Sequence, residues 1–157
     1  MVVEKYDKLR QVAKSNSIER WTLKGKVCAG IAVSIYDGDT FDAVIQLGDE
    51  DIKRLTIRML GYNSPEIKVS RSLGEVERLR NHEAAVQARD HLWELVGGEE
   101  CALLRLECFD WDKYGRLLAR VYRVRECVEC LDDWEYCVND LMMKDLDSCS
   151  KPFMTSS

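Results

Sequence analysis

Three runs of alternating apolar and polar residues, separated by tight acidic turns, constrain the fold of this chain more than any other sequence feature. The runs cover residues 27–36, 40–47 and 52–60. Asp37-Gly38-Asp39 separates the first two runs, and Gly48-Asp49-Glu50-Asp51 separates the second from the third. An Asp-Gly pair between two such runs is typical of a β-hairpin. The sequence therefore predicts a three-stranded antiparallel meander.

The rest of the chain adds two predicted strands and two predicted helices. Residues 83–96 carry an apolar stripe at helical spacing, and residues 138–146 show a similar pattern. Residues 101–109 and 116–124 alternate like strands, whereas residues 67–82 are interpreted as a polar loop. The order β-β-β-α-β-β-α favours an α+β, mainly β, fold: a five-stranded OB-fold β-barrel with two to three helices.

A length of 157 residues fits a single domain with one hydrophobic core. Residues 1–24 are predicted to be an N-terminal helical extension and residues 25–150 the domain itself. Within that domain, residues 126–137 form a cysteine-rich acidic insertion, and residues 151–157 are expected to be a tail.

The net charge of -5 comes from the C-terminal part of the chain. Residues 126–147 hold eight of the 28 acidic residues and one of the 23 basic ones, whereas residues 1–125 hold 21 basic and 20 acidic residues. Net charge therefore does not exclude a nucleic-acid partner. The acidic segment is either a solvated face or a binding surface for a basic protein partner.

The sequence contains no apolar stretch of the length that a membrane-spanning helix or a signal peptide needs. We therefore expect an intracellular protein without a membrane partner. Seven cysteines, an odd number, favour a reducing compartment. Cys127 and Cys130, with Cys137 and Cys149, could be a four-thiolate zinc site, but their irregular spacing favours free thiols.

Three polar clusters lie at predicted strand ends, where a scaffold presents functional groups. They are Asp37-Gly38-Asp39-Thr40, Arg58 with Asn63-Ser64-Pro65-Glu66, and Asp112-Lys113-Tyr114-Gly115-Arg116. Taken singly, they are explained by a hairpin turn, a structural salt bridge and a solvated turn. Arg58 stands between two apolar residues of a strand that must bury one face, so it needs an anionic partner or ligand.

Taken together, the order and spacing of these motifs resemble the staphylococcal nuclease (thermonuclease) family. The matching stretches are DGDT at 37–40, RMLGYNSPE at 58–66, EAA at 83–85 and DKYGR at 112–116. The resemblance covers roughly residues 25–150 and follows the predicted order of elements. It implies an OB-fold, calcium-dependent nuclease that hydrolyses DNA and RNA.

The resemblance also implies the metal ligands of such an enzyme. Asp39 would bind calcium directly, Asn63 would occupy the second ligand position, and Ser64 would offer its backbone carbonyl. Calcium prefers oxygen ligands and tolerates the irregular geometry of a site built from loops.

Catalytic and substrate-binding roles follow from the same resemblance. Arg58 and Arg116 would hold the phosphate and its transition state, and Glu66 would orient or deprotonate the attacking water. Lys113 and Tyr114 would flank the nucleotide. Phosphodiester attack builds negative charge, which guanidinium groups and a divalent cation neutralise. Because aromatic rings stack on unpaired bases, the expected substrate is single-stranded.

Asn63 departs from the family pattern, which has an aspartate at this position. The amide oxygen can still bind calcium, but one negative charge is lost. We expect calcium affinity to be lower by on the order of tenfold. The alternative function is a catalytically weakened domain that acts as a nucleic-acid or protein binding module.

Overall fold

The computed structural model describes residues 2–67, 74–126 and 130–155, with side chains described for 4–67, 74–126 and 130–147. The chain forms three α-helices and six β-strands in this part: α1 Asp7–Ser15, β1 Val27–Asp37, β2 Thr40–Gln46, β3 Ile52–Met59, α2 Glu75–Leu95, β4 Leu104–Trp111, β5 Leu117–Val124, β6 Trp134–Cys137 and α3 Val138–Thr155. A short 3₁₀ turn, Val2–Tyr6, precedes α1.

The first five strands close into a barrel. β1 pairs antiparallel with β2 and with β4, β2 pairs with β3, and β4 pairs with β5. A parallel pairing between β3 and β5, in which Arg58 lies opposite Leu118, closes the ring. The predicted α+β fold with a five-stranded OB-like barrel is thereby confirmed. β6 adds an antiparallel sixth strand to β5.

Alternation along the strands fills the barrel interior. On β2, Phe41, Ala43 and Ile45 are completely buried while the residues between them are only partly buried. Leu92 of α2 and Met142 of α3 are also fully buried in the same core. Burying a side chain of this size stabilises the fold by about 1.5–3 kcal/mol, so both helices are held to the barrel by their apolar faces.

α2 begins at Glu75, so the predicted polar loop over residues 67–82 is wrong from residue 75 onward. Residues 74–84 are all exposed, and the first buried side chain of the helix is Ala85. Because the first two turns contact no core, they carry no apolar stripe from which a helix could be predicted. Residues 68–73 of the predicted loop lie outside the described residues.

The acidic insertion, residues 126–137, contains β6, which was not predicted. Its first two residues, Trp134 and Glu135, are exposed, so the strand lacks the alternation of the barrel strands. α3 begins at Val138 as predicted but continues to Thr155, into the segment expected to be a tail.

The N-terminal extension contains the predicted helix, here α1, and none of its residues is buried. Asn16 ends the helix in a left-handed conformation with φ 50°. Leu23, 1% exposed, is the first residue of the chain that enters the core. No helix within the described residues is long and apolar enough to cross a membrane.

Candidate active site at one end of the barrel

The turn between β1 and β2 places two acidic side chains at the end of the barrel. Asp37 and Asp39 are each 7% exposed, and the Asp39 N–H donates a 3.1 Å hydrogen bond to Asp37 Oδ1. Gly38 lies between them. A Cβ atom at residue 38 would lie 2.7 Å from the Cβ atoms of Ala88 on α2 and of Ser64. Only glycine therefore lets the turn approach the helix and the segment after β3.

Asp39 connects this turn to the segment that follows β3. Its Oδ2 accepts the Ser64 N–H at 2.9 Å, and its Oδ1 accepts the Thr40 hydroxyl at 2.8 Å. Arg58 Nη2 lies 3.4 Å from the same Oδ2. The part-buried Arg58, which lies between the buried Ile57 and Met59 of β3, thus has the expected anionic partner.

The guanidinium group of Arg58 forms hydrogen bonds with the segment after β3. Its Nη1 donates to the Met59 and Tyr62 carbonyls, both at 2.9 Å, and its Nη2 donates to Asn63 Oδ1. The Arg58 side chain is 13% exposed. The Tyr62 hydroxyl in turn donates to the Gly38 carbonyl at 2.7 Å. The first cluster and the second, apart from Glu66, therefore form one hydrogen-bonded unit.

The third cluster is a turn organised by Asp112. Its Oδ1 accepts the N–H groups of Tyr114 and Arg116 at 2.9 Å, and its Oδ2 accepts Arg116 Nε at 2.6 Å. Gly115 adopts φ 81°, which favours glycine. Tyr114 is 71% exposed, and the Arg116 guanidinium and the Lys113 ammonium lie 5.2 and 5.1 Å from its ring centroid.

A cleft of about 310 Å³ joins these two units, because β3 and β5 run side by side. Arg58, Asn63 and Asp112 line it, together with the segment between the first two and Leu118 of β5. Arg116 lies next to this cleft through its bond to Asp112.

Glu66 is not part of this hydrogen-bonded arrangement. It is exposed, and its carboxylate makes no hydrogen bond or ion pair within the described residues. It follows the buried Ser64 by two residues, so it lies near the site along the chain without contacting Arg58 or Asp39.

The two acids of the first turn have opposite pKa shifts. Burial raises the pKa of Asp37 to about 6, and the hydrogen bond and negative charge of Asp39 add to the rise. Burial also acts to raise the pKa of Asp39, but hydrogen bonds from Asp37, Ser64 and Thr40 and the charge of Arg58 outweigh it, so that pKa is lowered. Of the two acids, Asp39 is thus the one whose charged form is favoured, because its pKa is lowered.

The pKa of Asp112 is also lowered. Burial opposes this shift, but the hydrogen bonds from the backbone and side chain of Arg116 and from the Tyr114 N–H outweigh it. A carboxylate held in its charged form keeps the Arg116 guanidinium in place.

The oxygen atoms around Arg58 belong to a carboxylate and an amide, which are both groups that bind calcium. Asp39 Oδ2 and Asn63 Oδ1 both contact the same guanidinium nitrogen, so they converge on a position already occupied by positive charge. In the described part of the chain, no group of three or more His, Cys, Asp or Glu side chains is arranged to hold a metal. The oxygen beside Asp39 is that of the Asn63 amide, and asparagine is not one of these four residue types.

None of the five cysteines described by the structure belongs to this site. Cys28, Cys101, Cys108, Cys130 and Cys137 are free thiols, and Cys137 is buried with a raised pKa caused mainly by burial. Cys127 and the side chain of Cys149, which complete the four-thiolate zinc hypothesis, lie outside the described residues.

Sequence reasoning missed the roles of Tyr62 and Asp112. Both lie inside motifs that were identified, but their function is to hold neighbouring groups, and such contacts leave no pattern in the sequence. Comparison with models of protein families and with curated proteins finds no match to this chain.

Proposed function

We propose that this protein is a calcium-dependent nuclease that hydrolyses phosphodiester bonds of DNA or RNA and prefers single strands. One observation carries the proposal: Arg58, with the Asp39 and Asn63 oxygens around it, faces the same cleft as Asp112, which holds Arg116. One arginine that lines the cleft and a second bound to a residue of its wall, beside oxygen ligands, suit a reaction in which negative charge builds on a phosphate.

Arg116 is prepared for phosphate binding by its contact with Asp112. The bond to Asp112 uses Nε, whereas Nη1 and Nη2 make no hydrogen bond within the described residues. These two nitrogens would donate to phosphate oxygens, and the Asp112 carboxylate would fix the plane of the guanidinium.

Arg58 plays a different part because its Nη2 is already bound. A substrate phosphate would replace Asn63 Oδ1 as the acceptor for this nitrogen, while Nη1 stays bound to the Met59 and Tyr62 carbonyls. The arginine would then move little on substrate binding, which keeps the phosphate in a fixed position.

Asp39, Asn63 and the Ser64 carbonyl would hold the calcium ion, which would supply positive charge to the phosphate when bound. Glu66 would accept the proton of the attacking water. Its exposed carboxylate would approach the cleft through a change in the backbone after Ser64. Exposed Tyr114 would stack on a base beside the reacting phosphate.

A second function, a binding module with little catalytic activity, is favoured by one specific contact. The Asn63 amide accepts a hydrogen bond from Arg58 and brings no negative charge to the metal position. Such a site would bind phosphate through its arginines without efficient hydrolysis.

Release of acid-soluble nucleotides from heat-denatured DNA and from RNA, measured across a calcium series, separates the two functions. We expect calcium-dependent cleavage that a chelator abolishes and that falls by at least about 100-fold in Glu66→Gln and in Arg116→Ala. Glu50→Gln and Arg125→Ala are matched controls, because both residues are exposed and neither lies in the three motif clusters.

Full activity in Glu66→Gln or Arg116→Ala would refute the roles assigned to these residues. Binding of single strands without any product, at every calcium concentration, would establish the binding module instead.

A further inference from the structure

An exposed tryptophan, Trp21, packs against the part-buried Trp111, which directly precedes the third cluster. Trp21 lies in the N-terminal extension and Trp111 is the last residue of β4. Their ring centroids are 6.3 Å apart, with the ring planes inclined by 33°. Trp21 is 60% exposed, so a large flat apolar surface faces solvent.

The backbone before β1 fixes Trp21 at this place. Leu23, two residues later, is buried in the core, and the Lys26 N–H donates to its carbonyl at 2.9 Å. The Gly25 N–H donates to the Cys108 carbonyl, and the Cys108 N–H donates to the Lys26 carbonyl, both at 2.9 Å. These bonds hold the backbone just after Trp21, and the contact with Trp111 orients its ring, so stacking of a ligand on the ring costs little conformational entropy.

The pair adjoins the candidate site along the chain. Trp111 directly precedes Asp112, which lines the cleft and holds Arg116. Tyr114, in the same turn, is 71% exposed. A ligand that leaves the cleft along this turn would therefore meet the indole pair.

Exposed basic side chains outnumber exposed acidic ones along residues 19–26 and 110–113, the two segments that carry the pair. The exposed cations on the two segments that meet here are Arg20, Lys24, Lys26 and Lys113, and the exposed acids are Glu19 and Asp110. A surface with excess positive charge and accessible aromatic rings suits the phosphates and unpaired bases of a single strand.

We propose that Trp21 and Trp111 form a base-stacking platform that binds single-stranded nucleic acid beyond the nucleotides held in the cleft. The inference rests on the proposed function, because its ligand is the substrate of that function. Stacking on Trp21 supplies affinity for longer strands and does not take part in hydrolysis.

The test compares two labelled 15-nucleotide probes, oligodeoxythymidylate and the same backbone without bases, by fluorescence anisotropy in chelator at low salt. We expect Trp21→Leu to weaken binding of the thymidylate roughly 5- to 100-fold, and to leave binding of the abasic strand unchanged. Trp21→Tyr keeps an aromatic face and should stay within about threefold of the wild type.

Trp134→Leu is the matched control, because Trp134 is 39% exposed and packs on Tyr122 of β5, 4.7 Å away between ring centroids. The affinity of the Trp134→Leu variant for thymidylate should equal that of the wild type. The platform would be overturned if the wild type and Trp21→Leu bound thymidylate equally well. It would also be overturned if Trp134→Leu lost as much affinity as Trp21→Leu, or if Trp21→Leu lost as much affinity for the abasic strand as for thymidylate. In those cases calcium-dependent cleavage would still stand. A wild type that binds neither probe and cleaves nothing would overturn the proposed function as well.

Discussion

At the scale of single residues, the candidate site is arranged around one guanidinium group. Arg58 contacts the Asp39 carboxylate and the Asn63 amide with the same nitrogen, and binds two backbone carbonyls with the other. A cation that comes to these two oxygens must compete with the arginine. The charge at residue 63 should therefore set how strongly calcium is held.

Asn63→Asp restores a second carboxylate and should raise calcium affinity by on the order of tenfold. The measurement is titration of the protein with calcium alone by isothermal calorimetry, so it does not depend on substrate or cleavage. Asn81→Asp, on the exposed start of α2, adds the same charge elsewhere. An unchanged affinity in Asn63→Asp would show that residue 63 does not bind the ion.

The paired acids predict a pH dependence of stability. The pKa of Asp37 rises from 3.8 to about 6 on folding, so the native state holds this proton more tightly than the unfolded state. The stabilisation is complete below pH 3.8 and is lost as the pH rises through 6, by at most about 3 kcal/mol. Asp39, whose pKa is lowered on folding, has the opposite effect: its stabilisation of the native state is lost as the pH falls.

Asp37→Asn should therefore gain stability relative to the wild type between pH 4 and pH 7, because its amide cannot ionise. Urea denaturation in chelator at several pH values measures this difference. Asp49→Asn, in the exposed turn after β2, controls for the loss of one charge. A constant difference between Asp37→Asn and the wild type across this range would contradict the raised pKa.

At the scale of elements, the sequence predicted the barrel strands and the parts of α2 and α3 that pack on them, and it missed two mainly exposed segments. β2 alternates between buried and partly buried residues, and that alternation is visible in the sequence. The first turns of α2 and the strand β6 lie on the surface, so their residues are not selected for an apolar pattern. In the site, the motifs located Asp39, Arg58 and Asn63, but which atoms contact one another depends on the closed barrel.

Asn139 shows how one polar side chain fixes an element. It is fully buried in the first turn of α3, where its Nδ2 donates to the Leu60 and Ala119 carbonyls at 2.9 and 3.1 Å. Its Oδ1 accepts the Val121 N–H at 2.7 Å. The helix is therefore joined both to β5 and to the chain leaving β3, next to Arg58.

Asn139→Ala should lower the free energy of unfolding by about 2–4 kcal/mol, because the Val121 N–H and the Leu60 carbonyl lose the amide that binds them. Chemical denaturation measures the change, and Asn81→Ala, at an exposed position of α2, provides the control. A loss below about 0.5 kcal/mol would mean that water or a neighbouring group replaces the amide.

At the scale of the whole molecule, the boundary of the folded unit is set by Leu23 rather than by the helix before it. α1 buries none of its residues, whereas Leu23 is 1% exposed and the hydrogen bonds of Gly25 and Lys26 tie the next residues to Cys108 of β4. The part of the extension that follows α1 is therefore a component of the barrel domain.

Two truncations test this boundary. Deletion of residues 2–16 removes α1 and should change the melting temperature by less than about 2 °C, because α1 contributes no buried residue to the core. Deletion of residues 2–23 also removes Leu23, which contributes about 1.5–3 kcal/mol, and should lower the melting temperature by roughly 5 °C or more. Leu23→Ala in the full chain should reproduce most of that loss. Equal melting temperatures for the two truncated proteins would show that Leu23 does not anchor the extension, and Trp21 would then have no fixed position beside Trp111.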